Sequence, residues 1–160
     1  MDCVSLGGLV EEIKVNIEKG WGWPSFNGKL LKPITGTVDT WESAELIIEP
    51  QENLIDAVLR DDLQIANGWY SFLVCDMAGA WFVMKSMRNE GLMCKCVTEY
   101  LNLKMVAMYR DLKLKCMVKV LTRVDKTITI SITAMTSSDK VVAEAVSGFQ
   151  IIKTKELNEN

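Results

Sequence analysis

Hydrophobic residues follow three patterns along the chain. From Leu6 to Lys19 the spacing is helical: Leu6, Leu9, Val10, Ile13 and Ile17 share a face that Glu11, Glu12, Lys14 and Glu18 avoid, and Gly20 follows as a stop. This predicts an amphipathic N-terminal helix. The segment Trp21 to Gly28 reads as a turn-rich loop anchored by its aromatic rings. Short strands are predicted over 34–40 and 44–48 around a turn at Trp41-Glu42-Ser43, and 50–66 reads as a short helical turn plus a loop.

The second pattern has period two. Leu112, Leu114, Cys116, Val118 and Val120 alternate with Lys113, Lys115, Met117 and Lys119; Ile128, Ile130 and Ile132 alternate with Thr127, Thr129, Ser131 and Thr133. Such alternation marks antiparallel strands with one face buried and one wet. With 93–109 before them and 141–152 after, and turns at Arg123–Lys126 and Ser137–Lys140, they predict a meander of long strands.

The third pattern is an apolar run over 67–84 with no alternation, too long for a strand. Asn67 stands where an N-cap belongs and Asn89-Glu90-Gly91 supplies a stop, so the run predicts a helix of about five turns, buried on most faces. Ala78, Gly79 and Ala80 permit close approach of neighbouring backbone. The whole reads as α+β, an antiparallel sheet wrapped around a long buried central helix.

Asp76 is the single charged residue of that run. A carboxylate there costs several kcal/mol, about, unless it is paired or reaches water. It serves either as a pocket base or nucleophile with a shifted pKa, or as a contact to a backbone N–H or lysine at a subunit interface. At the start of the same helix, the Gly68 N–H is a free donor at the positive end of the dipole, suited to polarising a carbonyl.

Composition narrows the chemistry. The chain has 160 residues, 49% hydrophobic, which suits one domain over 1–160. It has no histidine, so Ser-His-Asp and Cys-His nucleophilic catalysis and histidine-bearing metal sites are excluded. A net charge of −3 argues against a nucleic-acid partner. No run reaches membrane-spanning length, no secretory leader pattern opens the chain, and the cysteine count of 5 is odd; reduced thiols in the cytoplasm are the expectation. Cys94 and Cys96 share a strand face across Lys95 and read as inert thiols, with no metal and no cofactor expected.

These residues resemble a family. The order of elements is similar to the hotdog fold, and the central segment resembles acyl-CoA thioesterases of the thioesterase-superfamily-member-2 and PaaI type. That family carries His-Gly-Gly followed by Asp or Glu nine residues after the histidine. Here the register reads Asn67-Gly68-Trp69, then Asp76. Cys96 to Leu101 resembles the family's second strand, and Val142-Ala143-Glu144-Ala145 with Phe149 its closing strand.

The resemblance covers 34–152. It implies a hotdog core over 33–152, preceded by the helix and aromatic loop of 1–32 and followed by a polar tail at 153–160. It also implies that Gly68 offers its N–H to a thioester carbonyl, while Asp76 serves as base or nucleophile from across a dimer interface. Asn67 replaces the histidine as a hydrogen-bond donor that does not titrate, and Trp69 replaces the second glycine and either narrows the pocket or blocks coenzyme A. Asp61 matches a position that often holds a water-positioning asparagine, and Met93 and Cys94 stand where the second strand often opens with a serine or threonine.

The expected function is hydrolysis of acyl-CoA or another acyl thioester by a homodimer or homotetramer, with Lys113, Lys115 and Lys119 either meeting a nucleotide phosphate or forming a solvated strand face. The alternatives are a catalytically silent hotdog protein that binds an acyl ligand or serves as an assembly subunit, and a cone-shaped sheet of the NTF2-like kind. The buried mid-chain helix argues against the last.

Overall fold

The computed structural model describes residues 30–38, 41–59 and 63–156. The expected N-terminal helix and aromatic loop, Asp61 and the last residues of the tail lie outside that range.

Six strands form one antiparallel sheet: β1 (Thr35–Thr37), β2 (Ser43–Ile48), β3 (Leu92–Met105), β4 (Leu114–Val124), β5 (Thr127–Met135) and β6 (Val141–Glu156). Their order is β1-β2-β4-β5-β6-β3. A 3-10 turn (Glu52–Leu54) and the one-turn helix α1 (Ile55–Val58) lead into the long helix α2 (Gly68–Asn89), which packs chiefly against β3 and also reaches β2, β4, β5 and β6. The alternation of the meander becomes its burial: Ile128, Ile130, Ile132 and Ala134 of β5 point inward beside Leu114, Cys116 and Val118 of β4. Left-handed residues Asp125 and Asp139 make the two turns the sequence marked.

Helix α2 runs 22 residues, about six turns rather than five. It stops where Gly91 takes φ +77° and its N–H donates to the Arg88 carbonyl at 2.9 Å, a conformation that favours glycine. The close approach expected of the small residues centres on Gly79. A Cβ there would stand 2.5 Å from the Phe149 ring and 2.7 Å from Ile130. At the far end Trp41 donates from Nε1 to Glu90 at 2.6 Å, and the Arg123 guanidinium lies 3.9 Å from the centroid of the Trp41 ring.

Two boundaries differ from expectation. Strand β6 continues to Glu156 because Lys153 to Glu156 pair with Lys95 to Leu92, so the tail expected at 153 begins later. Strand β3 ends at Met105 and β4 starts at Leu114, because the chain between is held by other bonds: the Tyr109 carbonyl accepts from Ala66 N–H at 2.8 Å, and Asp111 accepts from Lys113 and Ser137. Helix α2 is not buried on all its apolar faces. Trp69 (45% exposed) and Phe72 (51%) form an open strip with half-buried Leu73 and Asp76.

Candidate functional site

The start of α2 is fixed from two sides. Asn67 N–H donates to the Val58 carbonyl at 2.8 Å, and Ala66 N–H to that of Tyr109. Buried Ser71, one turn on, shares a 2.6 Å hydrogen bond with Tyr109 Oη. Asn67 occupies the N-cap position in extended conformation, but its side chain makes no cap bond; Nδ2 instead points to the Ala57 carbonyl at 3.4 Å. The expected side-chain cap is therefore absent, and no described group accepts from the Gly68 N–H. Open space surrounds the Gly68 Cα where a side chain would stand. The result is a solvent-facing donor at the positive end of a long helix. Beside it the exposed Trp69 ring packs edge-on against Tyr70, with centroids 6.2 Å apart.

Asp76 lies two turns further along, between α2 and β3. Thr98 Oγ1 donates to Asp76 Oδ1 at 2.7 Å. Burial raises the pKa of Asp76 and the Thr98 bond offsets part of that rise, leaving a carboxyl above its ordinary range. Its neighbour Cys75 is pushed up to about 12, first by burial and then by the Asp76 charge. Burial also pushes up Cys116. The neighbouring thiols of Cys94 and Cys96 influence each other, which raises Cys96 and lowers Cys94. Three buried thiols thus fit the inert reading; half-buried Cys94 departs from it.

Sequence reasoning missed Thr98. The resemblance placed a hydroxyl near Met93 and Cys94, where none stands; the hydroxyl that reaches the carboxylate is further along β3. Period two puts Cys94, Cys96 and Thr98 on one face, which is the signal that could have found it. A bulge then intervenes. Thr98 pairs with Phe149 and Tyr100 with Gly148, leaving Glu99 as the extra residue, so Thr98 faces the helix and Tyr100 the opposite side of the sheet. The Tyr100 ring lies on Gly148, where a Cβ would come within 2.2 Å of it, and buried Ser147 donates to the Tyr100 carbonyl at 3.0 Å.

The chain gathers these residues into separate groups. Asn67, Gly68 and Trp69 cluster at the helix start; Asp76, Thr98 and Cys96 cluster two turns on. Asp76 follows Gly68 by eight positions, about 12 Å along the axis. Met93 and Cys94 pair with Lys155 and Thr154, roughly 13–17 Å up the strand from Thr98 and away from Gly68. Asp76 nevertheless lies next to an open boundary, since β3 has β6 on one side and no described strand on the other. Of the three lysines singled out, Lys115 is paired with Asp139, while Lys113 and Lys119 are exposed.

No family model and no curated protein sequence matches the chain. Solved structures do. The PaaI protein of the Escherichia coli phenylacetic acid degradation operon aligns over 91% of this chain and 96% of its own, with 16% identity and a TM-score of 0.63. Thioesterase HI1161 of Haemophilus influenzae aligns over 91% and 92%, with 12% identity and a TM-score of 0.62. A hypothetical thioesterase of Streptococcus pneumoniae, solved with coenzyme A, aligns over 78% and 93%, with 14% identity and a TM-score of 0.60. What is shared at such identities is architecture: the chain has the hotdog fold of PaaI-type thioesterases.

Proposed function

We propose that this protein hydrolyses an acyl-CoA thioester to a carboxylic acid and coenzyme A. The observation that carries the reading is the pairing, on one helix, of a free backbone donor at Gly68 with a burial-shifted carboxylate at Asp76. In this reaction Asp76 takes a proton from water as the water oxygen bonds to the thioester carbon. The Gly68 N–H holds the oxyanion that forms. The C–S bond then breaks, the carbonyl re-forms, and the departing sulfur receives the proton. Neither group requires histidine.

The spacing on α2 supports a site shared between two copies. A donor and a base about 12 Å apart do not meet at one carbonyl, so Gly68 of one copy works with Asp76 of another in a homodimer or homotetramer. The open edge of β3 and the exposed strip of Trp69 and Phe72 are the surfaces such pairing covers. Thr98 acts as a positioning residue that orients Asp76. Asn67 is assigned to donating near the carbonyl, which requires its amide to leave Ala57, and Trp69 to limiting the room for the acyl group; Asp61 is assigned to water positioning, and Met93 and Cys94 to substrate contact. A cytoplasmic site of action agrees with the reduced cysteines. No helix among the described residues is long and apolar enough to cross a membrane.

The test is a hydrolysis panel of short, long and aryl acyl-CoA thioesters with the parent and Asp76→Asn. Turnover of any substrate by the parent, lost in Asp76→Asn with unchanged circular dichroism, supports the reading. One observation favours the silent alternative, an acyl binder without turnover: the Asn67 amide is turned toward Ala57 rather than toward the space at Gly68. Binding of an acyl-CoA with no hydrolysis by either protein would establish it.

A further inference from the structure

The ladder between β3 and β6 breaks register twice, between Lys95 and Cys96 and between Thr98 and Tyr100. The first break leaves Ile152 of β6 as an extra residue, the second Glu99 of β3. Between them Cys96, Val97 and Thr98 pair with Ile151, Gln150 and Phe149 in a register of their own. A bulge interrupts the ladder locally, so these three residues can shift without carrying the rest of the strand. β6 is their single described neighbour in the sheet, because β3 is its last strand. One end of this short segment holds the Thr98 hydroxyl on Asp76. The other end holds the Cys96 thiol, and Cys94 stands just across the break.

The two thiols are unlike. They alternate on the face of β3 turned to α2, with α-carbons about 6.6 Å apart, inside the span a disulfide bridges and near its upper end. Cys94 is half-buried and Cys96 buried. The neighbouring Cys96 thiol lowers the pKa of Cys94, while Cys94 and burial raise Cys96. Cys94 therefore ionises first, and it is the thiol that solvent reaches. Cys75 and Cys116 are both buried and both raised by that burial, which leaves them unreactive.

We infer that Cys94 and Cys96 are a peroxide-sensitive dithiol whose disulfide draws residues 96–98 toward Cys94 and takes the Thr98 hydroxyl off Asp76. The Cys94 thiolate attacks one oxygen of hydrogen peroxide. The O–O bond breaks, the departing oxygen takes a proton and leaves as water, and Cys94 becomes a sulfenic acid. The Cys96 sulfur then attacks the Cys94 sulfur, the S–O bond breaks, and the sulfenic oxygen leaves as water with the Cys96 proton. Two thiols and one peroxide thus become one disulfide and two waters. A bridge near the limit of its span is strained, so thiol reductants reopen it. Its effect on turnover rests on the thioesterase reading; its formation and its effect on Asp76 do not.

The test begins with the full chain, reduced, desalted and exposed to hydrogen peroxide, then unfolded, alkylated and mapped by mass spectrometry. The expected product joins Cys94 to Cys96, with two hydrogens lost, neither thiol alkylated, and Cys75 and Cys116 still alkylated. Dithiothreitol should reverse it. In Cys96→Ala, dimedone should trap a sulfenic acid at Cys94. In parallel the Asp76 carboxyl is followed by carbon-13 NMR, and it should titrate at higher pH in the oxidised chain because the hydroxyl that lowers it has left. Hydrolysis of an acyl-CoA by the parent should fall about tenfold or more on oxidation and return with dithiothreitol. Cys94 bridged to any other cysteine, Cys3 included, overturns the inference, as does a sulfinic acid at Cys94 with Cys96 left free. A 94–96 bridge that leaves the Asp76 titration in place also overturns it. A bridge that moves the titration, in a chain that hydrolyses no thioester even when reduced, upholds the dithiol and removes the hydrolase reading.

Discussion

Asp76 keeps its proton to a higher pH in the folded chain than an exposed aspartate does, because burial disfavours the carboxylate more than the Thr98 hydroxyl favours it. The folded value exceeds the ordinary 3.8, so the native state binds more protons as pH rises from 3.8 through the folded pKa, and stability falls across that window. Above it a constant penalty remains. Asp76→Asn keeps the acceptor for Thr98 and removes the charge. We therefore expect its Tm at pH 7 to exceed the parent's by a few degrees while hydrolysis is lost; by pH 3 the difference should close, as calorimetry at both pH values would reveal. Thr98→Val removes the one hydroxyl that lowers Asp76. At a cost of about 1–2 kcal/mol in stability, it should move the acid limb of kcat/KM to higher pH, and Thr98→Ser should move it back. A purely structural role for Thr98 would change Tm and leave that limb in place. At this scale the sequence was half legible. Asp76 is conspicuous as a charge among apolar neighbours, whereas Thr98 is one hydroxyl in a strand of alternating polarity, and its partner stands on another element 22 residues away.

At the scale of elements, two glycines of similar standing in the sequence do different work. Gly79 is an interior helix residue, so alanine would favour it by propensity; but the added Cβ would press on Phe149 and Ile130, and we expect Gly79→Ala to lose about 1–3 kcal/mol in denaturant unfolding. Gly91 has nothing near its Cα, and Gly91→Ala should cost only about 1 kcal/mol, from its positive φ alone. If the two losses came out equal, packing at Gly79 would not be what separates them. The elements themselves were readable wherever one rule governed them: period two for β4 and β5, an uninterrupted apolar run for α2. They were misread where tertiary bonds decided. The polar residues 153–156 join β6 because backbone pairing with β3 ignores side-chain polarity, and apolar Val106 and Met108 leave the strand because Tyr109 and Asp111 are bound elsewhere.

At the scale of the molecule, the proposed chemistry needs two copies, and this is open to a genetic style of test. Gly68 is the first residue of α2, where proline is tolerated yet lacks the N–H. Gly68→Pro and Asp76→Asn should each be inactive alone. Unfolded together and refolded as a random mixture, half the dimers pair unlike chains, and one of their two sites joins an intact Gly68 to an intact Asp76. About a quarter of parental activity should return for a symmetric dimer. Recovery of none would place both groups in a single chain's site and contradict the spacing. Neither the open edge of β3 nor the exposed strip on α2 was visible in the sequence, because a strand's neighbours and a helix's uncovered face are properties of the assembled sheet.

The two-turn spacing of Gly68 and Asp76 also has a consequence in mass action. On the proposed mechanism a chain that carries two unmatched halves is idle by itself, so turnover per chain should follow the fraction assembled. In dilute solution that fraction depends on how much protein is present. Expression level would then set both the number of molecules and the share of them at work, and output would rise more steeply than the amount of protein made.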